Sequence, residues 1–443
     1  MISIKIGIFE DELVRNFYPL TYTRAVYDLR VGIYDLKSRI IKYMGAEGNE
    51  INFYVRDYLS ILCKHRFEES GIKARVNELG TIDDDIILIN GRVILLDEIA
   101  KELSDLAKKE REFLLVKNGQ LVATKLTSQR GSTIEELLIQ QNTSEIISKL
   151  KGEVKLLSFN KIEILKYPWE IIIYNSELIK RDFYDYIKGR ESEGEVDERV
   201  VIYGNEKDVF IDKGAEVESF VVFDARNGPI YIGEGTKVQS GARIEGPTFI
   251  GRDTIIVGGA QVREGSNIGD VCRVGGEFEE SVMHGYSNKY HAGFIGHAYI
   301  GEWVNIGAMT TNSDLKDTYG TVKVTIGTKR IDTGLRKVGC FIADMAKTSI
   351  GVLIYTGKKI GVASHLHGIV YEDVPSFTIY AKSLGAKSVE LYLDSAIEIQ
   401  RRMMARRKKE LKDYEIEVIR KVFELTKEER IRGGVIKGAF KLP

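Results

Sequence analysis

The sequence of 443 residues has few of the features that mark disulfide-bonded, membrane-spanning or strongly charged proteins. Its three cysteines, Cys63, Cys272 and Cys340, are far apart and lack metal-ligand spacing, which excludes a disulfide framework and fits a reducing compartment. No run is apolar enough to span a bilayer, and the N-terminus lacks a basic stretch followed by an apolar core. The 64 basic and 65 acidic residues nearly cancel, so no global field favours nucleic acid. We therefore expect a cytoplasmic protein, and the scarcity of His, Cys and Met beside abundant Lys, Glu and Ile indicates a thermophile.

The sequence does contain a repeat with a period of six residues. β-Branched residues occur at this spacing at Ile232, Val238, Ile244, Ile250, Ile256, Val262, Ile268 and Val274. Four positions after all but the last of them comes a small residue: Thr236, Ala242, Thr248, Thr254, Ala260, Ser266 or Cys272. Such a period predicts short parallel strands that coil into a β-helix, with three hexads per turn. We expect the Ile and Val side chains to stack between coils, each contributing about 1.5–3 kcal/mol, and the small residues to fit tight corners.

Composition divides the chain into three parts. Before the repeat, alternating isoleucines at positions 2 to 8, apolar runs at 51–55 and 85–91 and a helical pattern at 97–110 predict a mainly parallel α/β sheet. The polar, charged segment 188–198 is the best linker candidate, and 388–430 has apolar residues at the spacing of one long helix or two. The sequence therefore predicts an α/β domain over 1–187, a β-helix over 199–380 and a helical extension over 381–443.

Two segments, 275–293 and 311–324, interrupt the hexads, and interruptions of a solenoid map to loops that often carry function. His291 lies where the first of them rejoins the repeat. A histidine with its ordinary pKa of about 6.5 is a natural general base near neutral pH. The alternative is a surface or capping histidine without a chemical role.

The string KYHAGFIGHAYIGEWVNIGAMTTN, residues 289–312, resembles a signature of one enzyme family. This is the bifunctional N-acetylglucosamine-1-phosphate uridylyltransferase and glucosamine-1-phosphate acetyltransferase family, in which Lys, His, a Gly-containing hexad and Asn-Ile-Gly-Ala follow in this order. The resemblance implies a left-handed parallel β-helix and a homotrimer, or a dimer of trimers, with acetyl-CoA sites between subunits. It also implies that His291 deprotonates the sugar amine.

The same resemblance implies a set of substrate-binding residues: Arg263, Lys289, Asn305 and Asn312. In this set Arg263 holds the sugar phosphate, a task suited to a planar and permanently charged group. The chain departs from the pattern at two positions, since Phe294 replaces a tyrosine and Ser281 replaces a lysine. These departures leave the identity of the acceptor open.

Near the N-terminus, Arg15, Arg24 and Arg30 surround a Pro-Leu-Thr sequence in a loop that leaves the first predicted strand. Sheets of this class place ligands there, and such a cluster suits a triphosphate or a sugar phosphate. An equally good interpretation is a set of structural ion pairs with the nearby acidic residues Glu10, Asp11, Glu12 and Asp28. The segment 9–33 also resembles a divergent sugar nucleotidyltransferase family found fused to hexapeptide domains, and YPWE at 167–170 with Asn175 and Asp182 resembles a later motif of that group.

This N-terminal segment departs from the well-characterised nucleotidyltransferases in two ways. It lacks the glycine-rich phosphate loop, and Asn90-Gly91-Arg92 replaces the Gly-Asp whose carboxylate holds magnesium. Loss of that carboxylate is serious because nucleotidyl transfer needs metal charge neutralisation. Asp11 or Asp28 is a candidate substitute, and we predict Asp11 as the metal ligand.

The resemblance implies an enzyme of nucleotide-sugar biosynthesis, in the direction of UDP-N-acetylglucosamine, with two reactions. One transfers acetyl from acetyl-CoA to an aminosugar 1-phosphate such as glucosamine 1-phosphate. The other transfers a nucleoside monophosphate from an NTP to the sugar phosphate and requires Mg²⁺. Two alternatives are an acyltransferase whose N-terminal domain only binds nucleotide-sugar, and a non-catalytic trimeric scaffold.

Two further features of the sequence each allow more than one interpretation. The basic run RRMMARRKK at 401–409 is either a solvated helix face or a surface for an anionic ligand such as CoA phosphates or nucleic acid. His365 and His367 form a pair that would bind a metal only with a third ligand that the sequence does not reveal.

Overall fold

The computed structural model describes residues 5–159 and 161–442 and divides the chain into two compact units. The first unit comprises the described residues of 1–17, 23–29 and 34–167, and the second comprises those of 18–22, 30–33 and 168–443. No helix in the described part of the chain is both long enough and apolar enough to cross a bilayer. The three cysteines are buried and free.

A seven-stranded sheet forms the first unit. Its strands are β1 (Lys5–Phe9), β2 (Ile51–Tyr54), β3 (Ala74–Val76), β4 (Ile86–Asn90), β5 (Phe113–Lys117), β6 (Gln120–Leu126) and β7 (Lys155–Leu157). Their order is β7-β5-β6-β4-β1-β2-β3, with β6 antiparallel to both neighbours. The predicted first strand is confirmed from Lys5 onward, while positions 2 and 4 lie outside the described residues. Because β1 pairs in parallel with β2 and β4, the carboxyl ends of these strands lie together at Phe9, Tyr54 and Asn90.

Helices follow the strands of this unit, as the sequence predicts for an α/β fold. They are α1 (Leu36–Tyr43), α2 (Ser60–Glu69), α3 (Asp97–Lys109), α4 (Ser128–Gly131), α5 (Glu135–Ile139) and α6 (Thr143–Leu150). Short strands outside the sheet cover Arg30–Val31, Tyr34–Asp35, Val93–Ile94 and Glu163–Ile164, and 3₁₀ turns cover Glu12–Phe17, Val26–Asp28 and Asp57–Leu59. Apolar residues of β1, β4, β6, α5 and α6 form one buried cluster of the core.

A parallel β-helix of three faces dominates the second unit. The first face contains Glu195–Val196, Glu216–Val217, Lys237–Val238, Ile255–Ile256, Arg273–Val274, Asn288–Lys289, Lys347–Thr348, His365–Leu366, Thr378–Tyr380 and Val389–Glu390. The second contains Val201–Tyr203, Val222–Asp224, Arg243–Glu245, Gln261–Val262, Glu277–Glu279 and Phe294–Gly296, followed by the sheet of Thr311–Asn312, Leu353–Ile354 and Ile369–Val370. The third contains Val209–Ile211, Ile230–Ile232, Thr248–Ile250, Ser266–Ile268, Val282–Met283, Tyr299–Ile300, Phe341–Ile342 and Lys359–Ile360. A 3₁₀ turn at Glu206–Asp208 and another at Lys382–Leu384 complete the unit's short elements.

The hexad repeat forms the core of this β-helix, as predicted. Lys237 pairs with Ile255 and Ile255 with Arg273, which is three hexads per coil. Every Ile and Val of the repeat is fully buried, and so are the small corner residues. The corner hydroxyls bind the neighbouring coil, since Thr236 Oγ1 donates to the carbonyl of Gly251 at 2.7 Å and accepts from the amide of Thr254 at 3.1 Å.

The two predicted interruptions have different outcomes. Segment 275–293 stays within the β-helix, because Arg273 pairs with Asn288 in a coil that is one half-hexad shorter. The prediction of a loop there is therefore wrong. The second interruption is confirmed as an insertion: Asn305 bridges to Lys347, and the chain between them extends into a hairpin of Lys323–Ile326 and Lys329–Asp332.

Four helices belong to the second unit: α7 (Pro168–Tyr186), α8 (Leu393–Ala405), α9 (Asp413–Leu425) and α10 (Lys427–Arg432). The sequence places 168–187 in the N-terminal domain, whereas the compact units divide before Pro168. The reason is the buried face of α7, where Ile179 and Phe183 join an aromatic column on the third face of the β-helix. In that column, the Tyr231 ring stacks on Phe210 and Phe249 with centroids 5.6 and 5.0 Å apart.

Candidate functional site

His291 occupies a corner of the β-helix, between the strand Asn288–Lys289 on the first face and the strand Phe294–Gly296 on the second. Its side chain is exposed, with the Tyr290 ring against its edge at 5.2 Å. The corner of the following coil packs next to it, because the Met309 amide donates to the Ala292 carbonyl at 2.8 Å. The imidazole is thus accessible to a substrate, as a general base must be.

Lys289 supports this corner from inside. Its ammonium is buried and donates to the carbonyl of Gly275 at 2.8 Å and to that of His291 at 2.5 Å. Burial lowers the pKa of Lys289 to about 8. The Lys289 side chain therefore fixes the backbone of His291 to the preceding coil, which is a positioning role rather than the predicted contact with substrate.

Asn305 lies on a polar ladder that runs along the first face of the β-helix. Strand pairing sets Arg273 beside Asn288, Asn288 beside Asn305, and Asn305 beside Lys347. The Asn305 side chain is exposed and accepts from the Asn288 amide at 3.4 Å. It also lines a cavity of 280 Å³ between this ladder and the segment at the end of α8.

Asn312 and Arg263 have other partners than the predicted sugar phosphate. The buried Asn312 amide accepts from the Gly296 amide at 2.8 Å and donates to the Gly296 carbonyl at 2.9 Å. The guanidinium of Arg263, 41% exposed, lies within 4.0 Å of four carboxylates: Glu245, Glu264, Glu277 and Glu279. The Asn312 side chain is thus bound to the neighbouring coil, and the four carboxylates compensate the charge of Arg263 within the protein.

In the first unit, Asp11 follows β1 and is 1% exposed. The Arg92 guanidinium, itself fully buried, donates to both Asp11 oxygens, the Nε to Oδ1 at 2.8 Å, and Asn90 Nδ2 donates to Oδ2 at 2.8 Å. The sequence that replaces Gly-Asp in the nucleotidyltransferases therefore supplies a cation and an amide that bind this carboxylate. Asp11 does not fit the predicted role of magnesium ligand, because Mg²⁺ requires open carboxylate oxygens.

The other acidic residues near the carboxyl ends of β1 and β2 are also bound within this unit. Glu10 forms a buried bidentate pair with Arg56, with Nε–Oε2 at 2.9 Å and Nη2–Oε1 at 3.0 Å. Asp28, the second candidate metal ligand, pairs with Lys37 at 2.9 Å. Over residues 5–159 and 161–442, no three His, Cys, Asp or Glu side chains are grouped to hold a metal ion. The residues present do not fit a magnesium site.

The three predicted phosphate-binding arginines fall in different surroundings. Arg15 is exposed on the 3₁₀ turn Glu12–Phe17, and Arg24 is buried in the first unit. Arg30 belongs to the second unit, where its guanidinium donates to Asn267 Oδ1 at 3.2–3.3 Å and lies over the Phe249 ring. Arg30 therefore fixes its own segment to the β-helix.

The motif residues around Arg30 share this structural task. Asn175 and Asp182 of α7 accept from the amides of Gly32 and Ile33, each at 3.0 Å, and Asn175 also donates to the Gly265 carbonyl. Asn175 and Asp182 thus fix segment 30–33 within the second unit.

His297 is a charged site that the sequence reasoning missed. Its Nδ1 lies 2.8 Å from Asp314 and its Nε2 lies 3.0 Å from Glu280, so both ring nitrogens face carboxylates. Burial alone would lower the pKa of His297, but these two carboxylates outweigh it and raise the pKa to about 9. The imidazolium is an internal ion pair that holds the base of the inserted segment, and Asp314 lies too far along the chain for spacing to reveal it.

The chain is similar to known nucleotidyltransferases and acetyltransferases. A family model described as sugar nucleotidyl transferase matches residues 6–191. A bifunctional sugar-1-phosphate nucleotidylyltransferase/acetyltransferase of Sulfurisphaera tokodaii is 38% identical over 100 residues, which are 22% of this chain and 25% of that protein. The bifunctional protein GlmU of Methanocaldococcus jannaschii is 33% identical over 85 residues, 19% of this chain and 21% of that protein. The matches thus span about a quarter or less of these two relatives.

A third relative is covered over most of its length. The uncharacterized acetyltransferase YaiX of Escherichia coli is 32% identical over 171 residues, which are 38% of this chain and 74% of that protein. The chain belongs to the family of this acetyltransferase, and its N-terminal part matches the sugar nucleotidyl transferase model. As a member of this family the protein is a transferase, with an α/β nucleotidyltransferase-like unit followed by a parallel β-helix.

Proposed function

We propose that the protein is an acetyltransferase that transfers acetyl from acetyl-CoA to the amine of an aminosugar 1-phosphate, with His291 as general base. The observation that supports it most is the exposed imidazole at a corner whose backbone is held by the buried Lys289 ammonium. A polar ladder containing Asn305 runs along the adjoining face. We further propose a left-handed β-helix and a homotrimer, in which a second copy covers the exposed side of His291.

In the proposed reaction, the His291 imidazole accepts a proton from the substrate amine as its nitrogen attacks the thioester carbonyl carbon. A C–N bond forms, the C–S bond breaks, and the imidazolium returns its proton to the departing thiolate. General-base assistance of this kind contributes about 10²- to 10⁴-fold to the rate. Lys289 acts as a positioning residue, since its ammonium binds the carbonyl of His291 and not the ring.

For the first unit, the proposal retains binding of a nucleotide-sugar and omits magnesium-dependent nucleotidyl transfer. Asp11 and Glu10 are neutralised by Arg92 and Arg56, so neither of them offers an open carboxylate to a metal. The exposed Arg15 is the residue of this unit that we propose to contact a nucleotide phosphate. The bifunctional alternative requires Mg²⁺-dependent release of pyrophosphate from an NTP and a sugar phosphate.

The test is CoA release from acetyl-CoA with glucosamine 1-phosphate. We expect turnover in the parent and a loss of about 10²- to 10⁴-fold in His291→Ala. His65→Ala is the matched control, because His65 is an exposed histidine of α2 in the other unit, and it should leave the rate unchanged. Full activity of His291→Ala would reject His291 as the base. Intact trimers without turnover on any aminosugar phosphate would support the scaffold alternative.

A further inference from the structure

The cavity beside Asn305 is cationic. We name it the α8 cavity; its walls are the polar ladder of the first face and the segment from α8 to Arg407. Four of its side chains carry positive charge, Lys347, Arg402, Arg406 and Arg407, and none of the residues that line it is acidic. Arg402 pairs with Glu398 at 3.0 Å outside the lining, whereas the other three have no carboxylate partner within the described part of the chain. The α8 cavity therefore concentrates positive charge that the protein does not neutralise.

Guanidinium N–H groups at this cavity lack acceptors. Nε of Arg407 is buried without a hydrogen-bond partner, and so is Nη1 of the neighbouring Arg273, although Nη2 of Arg407 donates to Asn288 at 2.8 Å. Burial, and then the positive charges of Arg273 and Arg406, lower the pKa of Arg407. Buried N–H donors are normally paired, and phosphate is the anion whose geometry suits a guanidinium fork. The arrangement is that of an anion site.

The opposite wall suits a polar ring. The rings of Tyr286 and Trp303, which occupy corners of successive coils, stack with centroids 4.3 Å apart and line the cavity. The amides of Asn288 and Asn305 lie beside them and offer donors and acceptors to hydroxyl groups. The volume of 280 Å³ is below the usual range for drug-sized ligands, so it suits a phosphorylated monosaccharide and is too small to enclose a whole CoA molecule.

We propose that the α8 cavity binds the sugar phosphate acceptor, with its phosphate on Arg407 and Lys347 and its ring beside Trp303 and Asn305. The identity of the acceptor rests on the proposed acetyl transfer, whereas the phosphate chemistry rests on the cavity alone. The phosphate-holding role then belongs to the segment after α8 and not to Arg263, whose four carboxylate neighbours already balance its charge.

Isothermal titration calorimetry on the full-length protein tests this proposal. The probes are glucosamine 1-phosphate, glucosamine without phosphate, and adenosine 3′,5′-bisphosphate as the phosphorylated end of CoA. For Arg407→Gln we expect glucosamine 1-phosphate to bind about 10- to 100-fold more weakly, the loss of one charge-assisted pair, and glucosamine to bind as in the parent. Arg401→Gln is the matched control, because Arg401 lies on α8 just before the Arg407 segment, pairs with Glu398 and does not line the cavity. Lys347→Gln repeats the test should Arg407→Gln fail to fold.

Three results would overturn the proposal. One is parent-like binding of glucosamine 1-phosphate to both Arg407→Gln and Lys347→Gln. The second is weakening by Arg263→Gln in their place. The third is selective loss of adenosine bisphosphate binding, which would assign the cavity to CoA. Binding is measured without turnover, so the two proposals can fail separately. If glucosamine 1-phosphate binds in an Arg407-dependent way but acetyl is not transferred, only the proposed function is rejected. If Arg407→Gln turns over with an unchanged KM, only the proposed role of the cavity is rejected.

Discussion

Two sites of the molecule, the edge of the sheet after β1 and the α8 cavity, treat buried charge in opposite ways. After β1, the carboxylates of Glu10 and Asp11 each form an ion pair with a buried arginine of the same unit, Glu10 with Arg56 and Asp11 with Arg92. In the α8 cavity, Arg407 and Lys347 have no carboxylate partner in the described part of the chain, and Arg407 keeps a buried N–H without an acceptor. Internally matched charge stabilises a fold, whereas unmatched charge at a cavity is available to a ligand.

A site can therefore keep the position at which related proteins bind ligands and still lack residues that are free to bind them. The sheet edge after β1 has the location at which α/β proteins bind ligands, yet its acidic groups are occupied. The first face of the β-helix has the polar ladder, the accessible corner and the unmatched cations. This contrast supports our proposal that the chemistry takes place in the second unit.

The largest effect we expect is from Arg92→Met. This change leaves the Asp11 carboxylate buried without its cation, which typically costs about 3–5 kcal/mol. Urea unfolding followed by circular dichroism measures the loss. Lys101→Met, which removes an exposed pair with Asp97, is the control and should change the free energy of unfolding by less than about 1 kcal/mol. Equal effects of the two variants would show that the Asp11–Arg92 pair is not the internally matched site described above.

A second prediction concerns the matched charge of the second unit. The folded-state pKa of His297, about 9, lies above the ordinary value of 6.5, so its ion pairs stabilise fully below pH 6.5 and are lost as the pH rises through 9. The difference in unfolding free energy between the parent and His297→Gln should thus be about 3 kcal/mol at pH 6 and vanish above pH 9. Tryptophan fluorescence reports this unit, because Trp169 and Trp303 are the two tryptophans of the chain and both belong to it.

Taking the difference from His297→Gln cancels the contribution of Lys289 and Lys347, whose pKa values burial lowers to about 8. These lysines destabilise the fold at and below pH 8, and their effect fades as the pH rises from 8 to the ordinary lysine value of 10.5. A pH-independent difference between parent and variant would contradict the His297 assignment.

The smallest effect should come from Arg406→Gln. Arg406 is exposed, lines the α8 cavity and lies close enough to Arg407 to lower its pKa. Removing one of two like charges should leave the ligand-free protein equally stable or more stable by about 0.2–0.5 kcal/mol. A decrease of more than about 1 kcal/mol in the free energy of unfolding, measured by heat or urea, would show that Arg406 makes stabilising contacts within the protein. The cavity charges would then not be unmatched as described above.

The sequence predicted the β-helix core because the hexad pattern is local. Ile232 to Val274 alternate with small corner residues at a fixed period, and the structure buries all of them. The same period misled at 275–293, where one coil shortens and the strands keep pairing, so that a loss of phase was mistaken for a loop. The boundary at Pro168 could not be predicted from the sequence either. An apolar helix face shows that α7 packs on something, but only its contacts with the aromatic column show that it belongs to the second unit.

The site was predicted only in part, for a similar reason. A motif identifies His291 and Asn305 but not what surrounds them. The pairs that decide the chemistry, Asp11 with Arg92 and Arg407 with Asn288, join residues far apart in the chain, where spacing contains no signal. Nor does spacing reveal that the side chains of Asp11 and Asn312 are already hydrogen-bonded within the protein.

One assay tests most directly whether the chemistry lies in the β-helix. Purified protein is incubated with acetyl-CoA, glucosamine 1-phosphate, a mixture of nucleoside triphosphates and MgCl₂, and CoA and pyrophosphate are quantified in the same reaction, with His291→Ala in parallel. We expect CoA release that depends on His291, with no release of pyrophosphate. Pyrophosphate formed from NTP and sugar phosphate would contradict it, because the Asp11 carboxylate bound by Arg92 would then have to give way to a metal.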